Sequence, residues 1–250
     1  MDITRRKFLN TTIIGSLAAS ISSCKKSNDP VYDTSENIFN YAFRKRITIH
    51  NNNIILFQGD SITECNRNKS VLIANDASGL GNGYASKIAD KILQQSAFGN
   101  VQIYNRGVSG NKVGDLLGRW KADCLNIKPS VISILVGIND LRYQVSPNSY
   151  YRDYKNLLQE TKLNLPSCEI IIGEPFIFPN FPPFNSDQNV FHEYRKIVRL
   201  LAKEFDTVFI PYYDDLEAAY KMYENKLSDD GFHPTLFAHE LMADFWMQYL

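Results

Sequence analysis

Five short apolar runs, separated by amphipathic segments, set the main limit on how this chain can fold. They are Ile54–Gln58, Val101–Asn105, Val131–Val136, Glu169–Gly173 and Val208–Pro211. Most are continuous in Val and Ile rather than alternating apolar with polar. Strands of that kind are buried on both faces, as in a parallel sheet covered by helices on either side. The segments between them carry apolar residues at helical spacing. Ile88, Ile92 and Leu93 do so within Tyr84–Phe98, and Leu116, Leu117 and Trp120 within Lys112–Asn126. Ser149–Leu163 and Asn189–Phe205 follow the same logic, and Leu236–Leu250 closes the chain with an aromatic-rich apolar face. Repeated β–α units with right-handed crossovers predict a three-layer α/β fold with a doubly wound, five-stranded parallel sheet, flavodoxin-like rather than a barrel. Ile47–Ile49 predicts a small additional strand. The Pro- and Phe-rich stretch Phe178–Phe184 predicts a surface loop after the fourth strand and a candidate substrate wall.

The 250 residues are enough for one such domain with a full core. Lys+Arg and Asp+Glu balance at 27 each, which removes any electrostatic case for a nucleic-acid partner. Core and surface packing accounts for most of the Tyr and Phe residues, although aromatics on loops would also suit a sugar or acyl ligand. The N-terminus reads as a targeting segment. Thr4-Arg5-Arg6-Lys7-Phe8-Leu9 resembles a twin-arginine export signal. The apolar stretch from Thr11 to Ile21 is too short for an ordinary transmembrane helix. Ile21-Ser22-Ser23-Cys24 resembles a bacterial lipobox, in which Cys24 would carry lipid as the first mature residue. The competing reading is a plain secretory signal with an incidental cysteine. The expected organisation is an export signal over 1–23, a polar tether or N-terminal extension over 24–46, and the globular domain over 47–250. An exported bacterial lipoprotein, held to a membrane in the periplasm or cell envelope, is the localisation that follows. Cys65, Cys124 and Cys168 remain, so at most one disulfide bridge can form, and the sequence does not choose it. No basic or His-rich context beside Cys65 argues for a reactive thiol.

Four blocks then stand out. Gly59-Asp60-Ser61 follows the first strand. Asn105-Arg106-Gly107-Val108-Ser109-Gly110-Asn111 follows the second, and Gly137-Ile138-Asn139-Asp140 the third. Asp229-Asp230-Gly231-Phe232-His233-Pro234 precedes the final helix. The first three converge on the C-terminal edge of the sheet, where ligands bind in open α/β folds. Each block alone has a plain structural explanation. Ser61 would serve as a helix cap, the glycines as turn residues, Asn139-Asp140 as a cap after a strand, and Pro234 as the first residue of a helix. None of these explains why they share one edge.

In this order the blocks resemble those of the GDSL/SGNH hydrolase superfamily, and the resemblance runs from about Ile54 to the C-terminus. It implies the SGNH hydrolase fold and acyl transfer of the esterase type, and it needs no metal or other cofactor. The residues support the same chemistry on their own terms. Ester hydrolysis through a covalent intermediate needs a nucleophile, a base, a group to orient the base, and donors for the oxyanion. Ser61 supplies the hydroxyl. His233 is the best placed of the histidines to be the base, and Asp230 matches the Asp-x-x-His spacing better than its rival Asp229. The N–H groups of Ser61 and Gly107 and the side-chain amide of Asn139 are candidate oxyanion donors. Asp60 is expected to hold the loop rather than to react.

His192-Glu193 and His239-Glu240 begin like a zinc motif, but Lys196 and Ala243 stand where the second histidine would be. Gly79 to Gly83 is expected to shape the loop before the next helix, and His50 to be exposed. The expected function is a serine esterase acting on a carboxylic ester, first of all an O-acetylated glycan. A lysophospholipase or thioesterase is the alternative within the class. A glycan-binding lipoprotein without catalysis is the alternative outside it.

Overall fold

All five expected strands form, as β1 (Ile54–Gly59), β2 (Gln102–Asn105), β3 (Val131–Leu135), β4 (Glu169–Gly173) and β5 (Val208–Ile210). They pair in the order β2-β1-β3-β4-β5, each pair parallel. The computed structural model describes Tyr32, residues 37–181 and residues 188–250. Its helices are α1 (Ser61–Glu64), α2 (Ala77–Leu80), α3 (Tyr84–Leu93), α4 (Val113–Trp120), α5 (Ile138–Arg142), α6 (Pro147–Asn164), α7 (Gln188–Glu204), α8 (Tyr212–Tyr223) and α9 (Leu236–Met247).

Successive strand residues point to opposite faces, and the core divides accordingly. Ile55 and Phe57 pack with α3, α8 and α9 through Ile88, Ile92, Leu216, Met242 and Trp246. Leu56, Ile132 and Ile134 pack with α4, α6 and α7 through Leu116, Leu157, Ile197 and Leu201. Two buried indoles pin helices by hydrogen bonds: Trp246 Nε1–H donates to Ser133 Oγ (3.2 Å) and Trp120 Nε1–H to Thr161 Oγ1 (2.9 Å). With this strand order the crevice for a ligand opens between the C-terminal ends of β1 and β3, where the winding reverses.

Some expectations fail for physical reasons. Ile47–Ile49 is not a strand. Both isoleucines are buried, but the Ile47 N–H donates to the Tyr249 carbonyl (2.8 Å), so the segment runs beneath the end of α9 with no ladder of its own. Helix α4 ends at Trp120 and continues as a π turn over Lys121–Leu125. Helix α8 was not anticipated. The extension does not stay a tether as far as residue 46. Ile38 is fully buried, Phe39 stacks on His192 at 4.6 Å between centroids, and Phe43 packs on Phe209 at 4.5 Å. Tyr32 donates to Glu193 (2.8 Å). Hydrophobic burial has drawn these residues onto the α7 face. The twin-arginine segment, Cys24 and most of the extension before Asn37 lie outside the described residues.

Candidate active site

β1 ends in a glycine because nothing larger fits. A Cβ at Gly59 would collide with the Leu135 carbonyl and the Thr63 hydroxyl. The chain then turns sharply into α1. Asp60 is buried, and its Oδ1 accepts the Ile62 N–H (3.0 Å), which caps the helix. Burial pushes the Asp60 carboxyl up to about 7, although backbone N–H bonds oppose the rise. Ser61 is therefore the first residue of α1, with its side chain free to face the crevice.

His233 arrives from the loop that precedes α9. His233 Nε2 lies 2.9 Å from Ser61 Oγ, and His233 Nδ1 lies 2.7 Å from Asp230 Oδ2. Because an ionised carboxylate only accepts, the proton sits on Nδ1, which leaves the Nε2 lone pair directed at the serine hydroxyl. The loop holds this orientation with its own backbone. Asp230 Oδ1 accepts the N–H of Phe232 (3.0 Å) and of His233 (2.8 Å), and Ser228 Oγ accepts the N–H of Gly231 (2.9 Å). Burial works to raise the Asp230 carboxyl. These two N–H bonds and the His233 ring outweigh it and hold the carboxyl below the ordinary range. Asp229 makes none of these bonds.

The middle blocks are arranged differently from the expectation. The Gly107 N–H donates to Asn105 Oδ1 (2.9 Å), so its single proton is committed. The glycine is needed for another reason: a Cβ there would strike the backbone of Thr63 and Glu64. Asn105 also donates to the carbonyls of Thr63 (2.7 Å) and Leu80 (2.8 Å), and so fastens β2 to the Ser61 turn. Three residues on, Gly110 adopts φ +81° with open space around it. Its N–H has no partner among the described residues. The Asn139 amide donates to the Asn111 carbonyl (3.2 Å), which sets it beside this loop and leaves its second N–H available. Arg119 holds Asn111 from behind, donating from Nε to Asn111 Oδ1 (2.8 Å). Asp140, fully buried, accepts the Val113 N–H through both oxygens (3.2 Å each). Burial, with the nearby Asp60 charge, raises its carboxyl to about 7.

Ser61 and His233 open onto a cavity of about 290 Å³, lined also by Glu64, Cys65, Asn66, Ser109 and His239. The lining is mostly polar. Of the expected wall, Phe178–Phe184, only the described part, Phe178 to Phe181, can be placed, and it does not line the cavity. Phe178 is buried, Phe181 packs on Phe232 at 6.0 Å, and residues 182–187 lie outside the described residues. The segment instead braces the His233 loop, since the Phe178 N–H donates to the Gly231 carbonyl (2.7 Å). Cys65, Cys124 and Cys168 are free thiols, and burial pushes the Cys65 thiol up, away from thiolate character. Among the described residues no group of three His, Cys, Asp or Glu side chains is arranged to hold a metal ion.

The profile of the GDSL-like lipase/acylhydrolase family matches residues 57–241, a span that includes every block described above. The chain belongs to that family. It is a carboxylic ester hydrolase with a serine-esterase fold. A GDSL-like lipase from Parabacteroides merdae superimposes with a TM-score of 0.78 at 38% identity, covering 82% of this chain and 98% of its own. The acetylxylan esterase of Geobacillus stearothermophilus is 28% identical over 203 residues, 76% of this chain and 90% of the esterase. Its crystal structure superimposes with a TM-score of 0.73, over 81% of this chain and 96% of its own. Thioesterase 1/protease 1/lysophospholipase L1 of Escherichia coli is 26% identical over 181 residues, 71% of this chain and 81% of the enzyme. In this GDSL-like hydrolase the sequence did not flag Glu64, Asn66 or His239 as cavity residues. The pairing of His239 with Glu240 draws attention only as a failed zinc motif.

Proposed function

We propose that this hydrolase removes short acyl groups, acetyl first of all, from a carbohydrate, with Ser61, His233 and Asp230 as its catalytic triad. The hydrogen-bonded chain from Ser61 Oγ through the imidazole to Asp230, opening onto a polar cavity, carries the reading. Ser61 Oγ attacks the ester carbonyl carbon as its proton passes to His233 Nε2. Collapse of the tetrahedral intermediate breaks the bond to the alcohol oxygen, which takes that proton. Water then repeats the sequence on the acyl-serine and releases the carboxylic acid. Asp230 orients the ring and balances its transient charge.

For the oxyanion we assign the N–H of Ser61, the free amide N–H of Asn139 and the N–H of Gly110, which replaces Gly107 because the Gly107 proton is already used by Asn105. Removal of one such donor commonly costs about 10²–10³ in rate. A polar cavity suits an alcohol half bearing hydroxyls better than a long acyl chain, which requires an apolar groove. The acetylxylan esterase relative supports the same direction. The Escherichia coli relative keeps a thioesterase or lysophospholipase as the second reading.

The test compares acetylated xylo-oligosaccharides with short- and long-chain aryl esters and a lysophospholipid, using wild type and Ser61→Ala. The expected outcome is turnover of the acetyl substrates and a loss of at least about 10³-fold in the variant. Preference for the long chains would overturn the substrate assignment, and equal rates in the two proteins would overturn the triad. We also propose export and lipidation at Cys24. Mass spectrometry of the mature protein then gives a lipid-bearing N-terminal cysteine, and an unmodified terminus elsewhere would remove the anchor.

A further inference from the structure

His239 lies on α9, six residues beyond His233, and its imidazole borders the same cavity as the serine. It is almost entirely enclosed, with 3% of its surface exposed. One face of its chemistry is fixed. The Tyr84 N–H, at the start of α3, donates to His239 Nδ1 (3.1 Å). A backbone N–H can only donate, so Nδ1 must hold a lone pair and the ring proton must sit on Nε2. Among the described residues no protein group accepts that proton. Nor is Nε2 one of the buried polar atoms left without a partner. It therefore keeps contact with the cavity. Burial, with the positive charge of Lys87 and the neighbouring His233, lowers the ring to about 4, so it stays neutral at the pH where esterases work.

The surroundings sharpen the point. Gly83 stands directly beside the ring, and a Cβ there would come within 3.1 Å of His239 Cε1 and 2.6 Å of Cys65 Cβ. The imidazole is thus held against the α3 N-terminus, with one uncharged N–H left to offer. A fixed neutral donor suits a neutral acceptor. It would hold a hydroxyl or ring oxygen without the desolvation cost of a buried charge.

We infer that His239 Nε2–H is a specificity-determining donor that binds an oxygen of the alcohol half of the ester, beside the catalytic serine. The inference rests on the carbohydrate-ester reading above and names the residue that would recognise the sugar. His239 takes no proton during the reaction; its contribution is to position the substrate.

His239→Asn separates this role from a structural one. The Asn Oδ1 can stand where Nδ1 stood and keep the Tyr84 N–H bond, but the distal donor is gone. Catalytic efficiency is measured on an acetylated xylo-oligosaccharide and on p-nitrophenyl acetate, whose alcohol half has no hydroxyl. The ratio of the two is expected to fall about tenfold, the size of one lost hydrogen bond to substrate, with the change in KM for the saccharide. An equal fall on both esters, or no fall, would overturn the inference. A wild-type protein active on the aryl ester but on no acetylated saccharide would overturn the carbohydrate reading itself, and this inference with it. If His239→Asn does not fold, Ser61→Ala with ¹⁵N-labelled histidine supplies the measurement. Saturation with the saccharide should move the Nε2 proton resonance of His239 downfield, and an unmoved resonance overturns the assignment.

Discussion

Asp60 shows how much a single side chain can be asked to tolerate beside the proposed nucleophile, Ser61. Its carboxyl is enclosed and raised to about 7 from an ordinary 3.8. Between those two values the folded protein keeps a proton that the unfolded chain has lost. The contribution of this group to stability is thus complete below about pH 4 and disappears as the pH rises through 7. Asp60→Asn keeps an acceptor for the Ile62 N–H and removes the charge. Relative to wild type, the variant should gain between pH 4 and 7 and then level off, by an order of 1–4 kcal/mol. Urea midpoints at several pH values check it, and a constant gap would refute it. At the neighbouring proposed triad, Asp230→Asn should keep the fold but lower kcat by about 10⁴, because the amide no longer imposes the tautomer that leaves Nε2 free. Stopped-flow or steady-state turnover of an aryl acetate measures this. The hydrogen-bonded grouping of Ser61, His233 and Asp230 was legible because the proposed chemistry dictates both residue type and spacing. The committed proton of Gly107 was not, since it depends on where the Asn105 side chain turns.

Elements show the same division. Strands and long helices were readable from apolar periodicity, and their bounds shifted by only a few residues. α8 was missed because Pro211 and a tyrosine-rich start hid it, although Asp214 and Asp215 in its first turn and the buried Leu216 and Ala219 fit a helix. Short α1 carries no periodicity at all, and only its cap at Asp60 marks it. Its entry depends on Gly59. Gly59→Ala drives a methyl into the Leu135 carbonyl and Thr63 hydroxyl and should cost about 3 kcal/mol or more. A chemical denaturation curve with an unchanged midpoint would contradict this. The ion pairs between α3 and α9 contrast with it. Glu240 meets Lys87 (3.0 Å) and Lys91 (2.7 Å), but all three side chains are partly exposed. Solvent and salt screen such pairs, so Glu240→Ala should change stability by less than about 1 kcal/mol, as thermal melts at low and high salt would register.

Across the whole molecule, a partly buried ionic knot ties the C-terminal end of β4 to two helices. Glu174, just past β4, accepts from Arg199 Nε (2.9 Å) and Nη2 (3.0 Å) and from Arg195 Nε (2.9 Å). Asp214 on α8 accepts from both arginines, at 2.7 and 2.6 Å. Arg199→Met strips one cation from a carboxylate with no exposed surface and should destabilise the protein by about 3 kcal/mol. Arg195 remains to compensate in part. The order of the parts along the chain has its own consequence. The serine is synthesised early and its base late, 172 residues apart in sequence. Until the segment ending in His233 has been made and has docked against Phe178 and Phe181, the hydroxyl has no partner to take its proton. A growing chain cut short of His233 therefore carries the Ser61 hydroxyl unarmed, and the proposed hydrolysis waits for the 172 residues that separate it from its partner.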